Sequence, residues 1–402
     1  MQIKLVITIV AMFSLSRAWG SAAHYVIASI AESELLECHS KIYDKAMTIL
    51  EYLKDLTKLG EFPFIQAATW ADNIEELNWE TFQAKHFQPE TYKFENKKLI
   101  RERKKEDMNE SLLTAINQAL ATLQKEDTSK AYSKLAKSIE LRMLMHYVGD
   151  IHQPLHTMSR VNQFRSHGDS HGSDFLISNT DSKTLHNFWD NYFDDPKWKT
   201  FSISPTESTI ELIDAEADSI TTDFPRTVLN DDLSRTSFVE WIYHTQNFAI
   251  NQVYFGIKAN SKPSEEYITK NLPILRRQLA LAGYRLTDLI VSALEDVDVL
   301  KGKPTKKVES VEIQTKSVSE SLGISQTISM KIGSKDIQED AANSSEVNKK
   351  ESTTKRKKQR AKNKKQNQCS MKAVHIMPMD LEKIEFIDKT EDLPEGAEEL
   401  LI

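Results

Sequence analysis

Cysteine is nearly missing from this chain. Two occur in 402 residues, Cys38 and Cys369. They sit in regions of very different composition, so they are expected to stay unpaired and the core to hold without a disulfide. A domain of this length can do that. Long apolar runs are also scarce. After the first 18 residues no stretch reaches membrane-spanning length, which argues against a membrane protein. Strand signals are few, which argues against a β-sandwich or barrel. Charge is plentiful at 28%, and the formal net charge is -7.

The one apolar run lies at the start. Lys4 precedes Leu5–Leu15, and Ser16-Arg17-Ala18 ends it with small residues where a signal peptidase reads. Residues 1–18 are therefore expected to be a secretory signal peptide. That implies a secreted or lumenal protein, lysosomal or vacuolar included, with no stable membrane association and as a monomer. Cleavage would make Trp19 the first residue, five before His24. Asn109-Glu-Ser and Asn343-Ser-Ser are glycosylation acceptors.

Helical spacing of apolar residues recurs at 25–36, 42–53, 112–123, 132–148, 238–254 and 275–294. An irregular stretch rich in Ser, Gly, Asn and Asp fills 157–185. The expectation is an all-α fold, a single mostly helical domain over 19–300 with long loops. Residues 301–402 read as a low-complexity, disordered tail. Its run at 355–365 holds eight basic residues in eleven. That run is read as a solvated segment first and a phosphate-binding one second.

The chemistry concentrates in HYVGDIHQPLH, residues 146–156. His146 and Asp150 are four apart, so on a helix they share a face. Pro154 is expected to end that helix and let His156 fold back. His186 and Asp190 repeat the spacing. A nitrogen and a carboxylate oxygen on one face make a two-ligand clamp of the kind zinc accepts. Asp72 and His86 add further donors. The α-amine and carbonyl of a free Trp19 could chelate a metal, with His24 one helical turn on. His152 should point elsewhere. His39, His167, His171 and His244 lack a matching partner.

In order, Trp19-Gly-x-x-x-His24, Trp70-Ala-Asp72, His86-Phe87, His146-x-x-x-Asp150-x-His-Gln-Pro-Leu-His156 and His186-x-x-x-Asp190 resemble the class I zinc-dependent single-strand nucleases, the S1/P1 type of fungi and plants. These are relatives of the zinc phospholipases C. The resemblance runs from Trp19 to about Leu294.

It implies three zinc ions. One would be held by Asp72, His86, His146 and Asp150. A second would be held by Trp19, His24 and Asp150, and a third by His156, His186 and Asp190. It also implies hydrolysis of single-stranded RNA and DNA to 5′-phosphates, with 3′-nucleotidase activity as a further expectation. Asp72 would act as the catalytic proton acceptor and Phe87 as a base-stacking, substrate-binding residue.

Three departures from the family pattern stand out. Glu75 occupies a position where the family carries a basic residue. Pro89 replaces a base-reading aspartate. Asp169-Ser-His-Gly-Ser173 replaces Asp-x-Gly-Gly-Asn. The family's disulfides look absent. Arg142, Arg160 and Arg165 are candidate substitute cations. Two other readings compete: a zinc phospholipase C, which should carry Glu in place of Asp190, and a zinc-loaded binding protein whose hydrolysis has decayed.

The trimming claim is testable alone. An extra alanine ahead of Trp19 should weaken metal binding at the second site and strongly lower hydrolysis. Full metal content and activity in that variant would remove Trp19 from the ligand set.

Overall fold

The computed structural model describes residues 20–53, 60–74, 86–95, 98–103, 111–125, 131–198, 205–297, 376–378 and 390–392. Residues 1–18, expected to be a signal peptide, Trp19, Glu75, Asn109, Asn343 and the basic run at 355–365 lie outside them, as does most of 301–402. The chain divides into two compact units, 1–299 with 366–402, and 300–365. All described residues belong to the first.

The elements are, in order, α1 (Ser21–Cys38), α2 (Ser40–Glu51), α3 (Pro63–Ala67), α4 (Trp70–Ile74), β1 (Glu90–Glu95), β2 (Lys98–Arg103), α5 (Leu112–Leu123), α6 (Ala131–Asp150), α7 (Pro154–Thr157), β3 (Ser159–Arg160), α8 (Leu185–Asp190), α9 (Glu207–Asp223), α10 (Asn230–Leu233), α11 (Phe238–Phe248), α12 (Glu265–Leu294) and β4 (Thr390–Asp392). A π-turn, Ala249–Val253, continues α11. The protein is mostly helical, as its apolar spacing predicts.

Two helices form the centre. α1 is buried from Ala22 to Ser33, because alanines and serines let neighbours close in on every side. α12 is buried from Gln278 to Leu294. They cross at Gly283, where a Cβ would fall 2.6 Å from Ile30 Cβ and Cγ2. α6 packs beside them and against α5 and α2.

Several features depart from expectation. α12 begins at Glu265, ten residues before its apolar face, because Ser264 Oγ caps it by accepting from Tyr267 N at 3.1 Å. α9 was not expected, although Ile210, Ile213, Ala217 and Ile220 keep helical spacing and Thr206 caps the start. A small sheet, order β3-β1-β2-β4, stands beside the helices. β1 and β2 are antiparallel, with Glu90 opposite Arg103. Their charge-rich sequences, ETYKFE and KLIRER, hide the strand pattern.

Pro154 does not end α6. That helix stops at Asp150, and Pro154 opens α7 at its first turn, where a missing N–H costs nothing.

The cysteine expectation is overturned. Cys38 is disulfide-bonded and no described cysteine is free, while the sequence offers only Cys369 as a second cysteine. The contrast in composition was a poor guide, because later residues come back to the helices. Ile376 is 2% exposed within the apolar core. Its N–H donates to Ser292 Oγ at 3.0 Å, and its carbonyl accepts from that hydroxyl at 2.6 Å. β4 pairs with β2 through Lys98–Asp392, Leu99–Glu391 and Ile100–Thr390.

Gly283→Ala should lower the unfolding free energy by about 1–3 kcal/mol through overpacking against Ile30. A urea midpoint equal to that of the parent chain would contradict the close crossing.

Candidate metal centre

Six segments bring the side chains together. α1 carries His24 in its first turns. α4 carries Asp72. The segment before β1 carries His86 and is tied down by Gln88 N, which donates to His156 O at 2.8 Å. The last turn of α6 carries His146 and Asp150. α7 and α8 carry His156, His186 and Asp190. Thr184 caps α8 by accepting from Asn187 N. His24 can reach α6 because residue 149 is glycine: a Cβ there would fall 2.7 Å from His24 Cε1 and Nδ1. The His24 and His146 rings stack at 3.9 Å.

Three groups of donor atoms converge, each within 4.8 Å: His24, His146 and Asp150; Asp72, His86 and His146; His156, His186 and Asp190. Asp150 faces two ways. Its Oδ1 lies 3.5 Å from His24 Nε2. Its Oδ2 lies 3.1 Å from His86 Nδ1 and 3.4 Å from His146 Nε2. His146 Nε2 is also 3.5 Å from Asp72 Oδ1. In the third group, Asp190 Oδ2 lies 2.9 Å from His186 Nε2, and Oδ1 lies 3.8 Å from His156 Nε2. Bonds of about 2.0–2.1 Å to a tetrahedral ion put ligand atoms roughly 3.3 Å apart. The observed spacings bracket that value.

Three of the five imidazoles are held in the tautomer a metal needs. Nδ1–H of His146 donates to Ala68 O at 2.7 Å, that of His156 to His86 O at 2.9 Å, and that of His186 to His171 O at 2.7 Å. Each Nε2 is left with its lone pair turned toward carboxylates. Protonating the imidazoles is not the remedy for that repulsion. Burial pushes His24 and His156 well below the usual imidazole range, with neighbouring imidazoles adding to the effect. Burial takes His146 down to about 4, against the pull of Asp150. Burial also drives Asp150 well above the carboxylate range, with Asp72 and Asp190 pushing the same way against His146.

Both ring nitrogens of His24, Asp150 Oδ1 and His156 Nε2 are buried without a hydrogen-bond partner among the described residues. Such atoms are costly unless a cation satisfies them. The residues fit metal ions.

A profile of the S1/P1 nuclease family matches residues 19–295. The chain belongs to this family. Membership makes it a phosphodiester-hydrolysing enzyme, and the matched span takes in every candidate ligand. Among curated relatives in Arabidopsis thaliana, Endonuclease 4 is 25% identical over 280 residues, covering 67% of this chain and 86% of the relative. Endonuclease 3 is 24% identical over 273 residues, covering 67% and 86%. Endonuclease 2 is 22% identical over 275 residues, covering 67% and 88%. Among the described residues no helix is long and apolar enough to cross a membrane.

Within this S1/P1-type chain the structure also locates other residues singled out in the sequence. Gly20 N donates to Asp190 O at 3.0 Å, so the residue after Trp19 docks on the third group's helix. Phe87 stacks on His156 at 4.7 Å and on His171 at 4.6 Å. His152 does point elsewhere: its Nδ1 donates to Val148 O, and its Nε2 accepts from Arg285 at 2.8 Å. Arg142 is buried, bonding Ser138 and Leu50 O, which removes it as a substitute cation. Glu90 does not replace the aspartate lost at Pro89, because its carboxylate accepts from Gln88 and Gln246.

Two residues were missed in the sequence. His171 takes a left-handed backbone, φ +58, and its carbonyl orients His186. Gln153 is fully buried. Its Nε2 donates to Asp190 Oδ1 at 2.7 Å, and its Oε1 caps α7 through Leu155 N. Gln153 had one sequence signal, its place between the candidate ligands Asp150 and His156, whereas His171 lies fifteen residues from the nearest of them.

Gln153→Glu keeps the cap acceptor but sets a carboxylate against Asp190. Metal affinity at the third group should fall about 10–100-fold, as for other outer partners of ligating carboxylates. Competition with a chromophoric chelator would read it, and unchanged retention of every ion would contradict the assignment.

Proposed function

We propose that this enzyme is a zinc-dependent endonuclease that cuts single-stranded RNA and DNA to 5′-phosphate products and also acts as a 3′-nucleotidase. The observation that carries the reading is that Asp150 turns one oxygen to His24 and the other to His86 and His146, with the His156–His186–Asp190 group besides, in a chain of the S1/P1 nuclease family. Asp72, His86, His146 and Asp150 would hold one ion. His24 and Asp150, with the amine and carbonyl of Trp19, would hold a second. His156, His186 and Asp190 would hold a third. Bound zinc supplies Lewis-acid charge and makes water acidic enough to act as a nucleophile near neutral pH.

The chain's own residues do the rest. Asp72 is half-buried, while His24, His146 and Asp150 are fully buried, so its carboxylate is the one open to solvent. It orients the attacking water and takes up its proton. Asp150 stays unprotonated only while cations lie against it, which makes the charge at this site depend on metal loading. Phe87, half-buried against His156, offers a face for the base next to the scissile phosphate. A base must leave its stack to meet that face, which favours single strands. Residues 1–18 direct the chain into the secretory route, 19–300 form the catalytic domain, and the enzyme works as a monomer.

The test is release of acid-soluble nucleotides from single-stranded RNA by the full chain beginning at Trp19, with zinc present. Release should stop with a chelator and fall about 100-fold or more in Asp72→Asn. A zinc-loaded protein that releases nothing would overturn the reading in favour of a decayed binder. Release of diacylglycerol from phospholipid would favour the phospholipase.

A further inference from the structure

The loop leaving the third group carries an exposed aromatic on a braced turn. β3 starts three residues after His156. From there the chain runs out through Val161 to Phe164 and returns at Asp169. Both legs are fixed. Val161 N donates to Tyr92 O at 2.8 Å. Asp169 Oδ1 accepts from Ser159 Oγ at 3.1 Å and from Arg160 N at 3.0 Å. The same oxygen accepts from Gly172 N at 3.1 Å, and Gly172 O accepts from His186 N at 3.3 Å. A short run of hydrogen bonds therefore joins the root of this loop to a candidate metal ligand.

The tip is closed as firmly. Asn162 and Arg165 exchange backbone hydrogen bonds at 3.3 and 3.1 Å. Asn162 Oδ1 accepts from Phe164 N at 2.9 Å and from Arg165 N at 3.1 Å. Gly168 N donates to Arg165 O at 3.2 Å. Gly168 has φ +92, and a Cβ there would fall 2.3 Å from Ser159 Oγ.

On this braced turn Phe164 is 83% exposed, more than any other large hydrophobic residue among those described. Beside it stands Arg165, whose contact with Asp174 at 3.6 Å is solvent-exposed on both sides and exchangeable. Single exposed apolar residues are common and need no role. Here the backbone holds the ring outward next to a cation, in an enzyme that carries Glu75 where its family resemblance calls for a phosphate-binding cation.

We propose that Phe164 and Arg165 form a second nucleotide subsite, the ring stacking on a base and the guanidinium meeting a phosphate of a single strand held at the metal groups. The proposal rests on the nuclease reading above. Four residues separate Phe164 from the anchored Arg160, at most about 14 Å of chain. The ring therefore serves a base a few nucleotides from the one being cut. Mononucleotides and dinucleotides are too short to use it, whereas longer strands gain from it.

The experiment compares the full chain with Phe164→Ala, Phe164→Trp and Arg165→Ser, none of which touches a metal ligand. Binding of a fluorescent phosphorothioate decamer is measured by anisotropy. KM and kcat are measured for homopolymers of two to ten nucleotides. Phe164→Ala should weaken decamer binding, and raise its KM, about five- to 100-fold. The dinucleotide KM, kcat and the thermal midpoint should not change, and Phe164→Trp should restore the parent values. Arg165→Ser should reduce the salt dependence of binding by about one phosphate contact.

Equal decamer affinity in Phe164→Ala and the parent overturns the subsite, and so does an equal loss for dinucleotide and decamer. The two readings fail separately. A parent that binds the decamer through Phe164 but cuts no length keeps the subsite and loses the nuclease reading.

Discussion

Everything near the centre depends on one buried carboxylate. Asp150 turns Oδ1 to His24 and Oδ2 to His86 and His146. A lone carboxylate this deep would take up a proton, and imidazoles this deep would give theirs up. Together they form a cluster of lone pairs that repel unless cations lie among them. The fold supplies what keeps such a cluster in place. Backbone carbonyls of Ala68, His86 and His171 turn the rings. Gln153 holds Asp190. Packing of α1 against α6 and α12 leaves the rings no room to swing away.

Glycine decides how closely those helices meet. Gly149 gives the His24 ring its space, and Gly283 lets α12 lie on Ile30. Gly283 is helix-interior, where the residue costs roughly 1 kcal/mol against alanine, while Gly149 stands one residue before the end of α6. That cost is offset by bringing α1, which has almost no charged residue on its buried turns, against two other helices at once. The catalytic geometry and the apolar core are therefore the same packing seen from two sides.

Much of the centre was legible because its chemistry is local. His146 with Asp150, and His186 with Asp190, announce themselves by i, i+4 spacing, and the helical apolar runs predict most of the long helices. What was not legible depends on contacts across the fold. Gln153 and His171 act through atoms that pattern reading does not weigh, a side-chain amide and a backbone carbonyl. The β1–β2 hairpin is too charged to look like a strand. Ile376 and the Cys38 disulfide depend on where the chain returns, and nothing in the intervening 298–375 stretch of sequence encodes that return visibly. The elimination of Arg142 likewise came from its burial, since a sequence position beside the site says little about which way a guanidinium points.

The bond from Gly20 N to Asp190 O has a thermodynamic side. Asp190 contributes its carboxylate to one donor group and its carbonyl to the residue that follows Trp19, the proposed donor of another. Whatever orders α8 around an ion also builds the seat for the start of the chain, and a seated start in turn steadies α8. Occupancy at one end and docking at the other are then linked equilibria, each raising the affinity of the other by the same factor. A nuclease assembled this way would load its metals cooperatively.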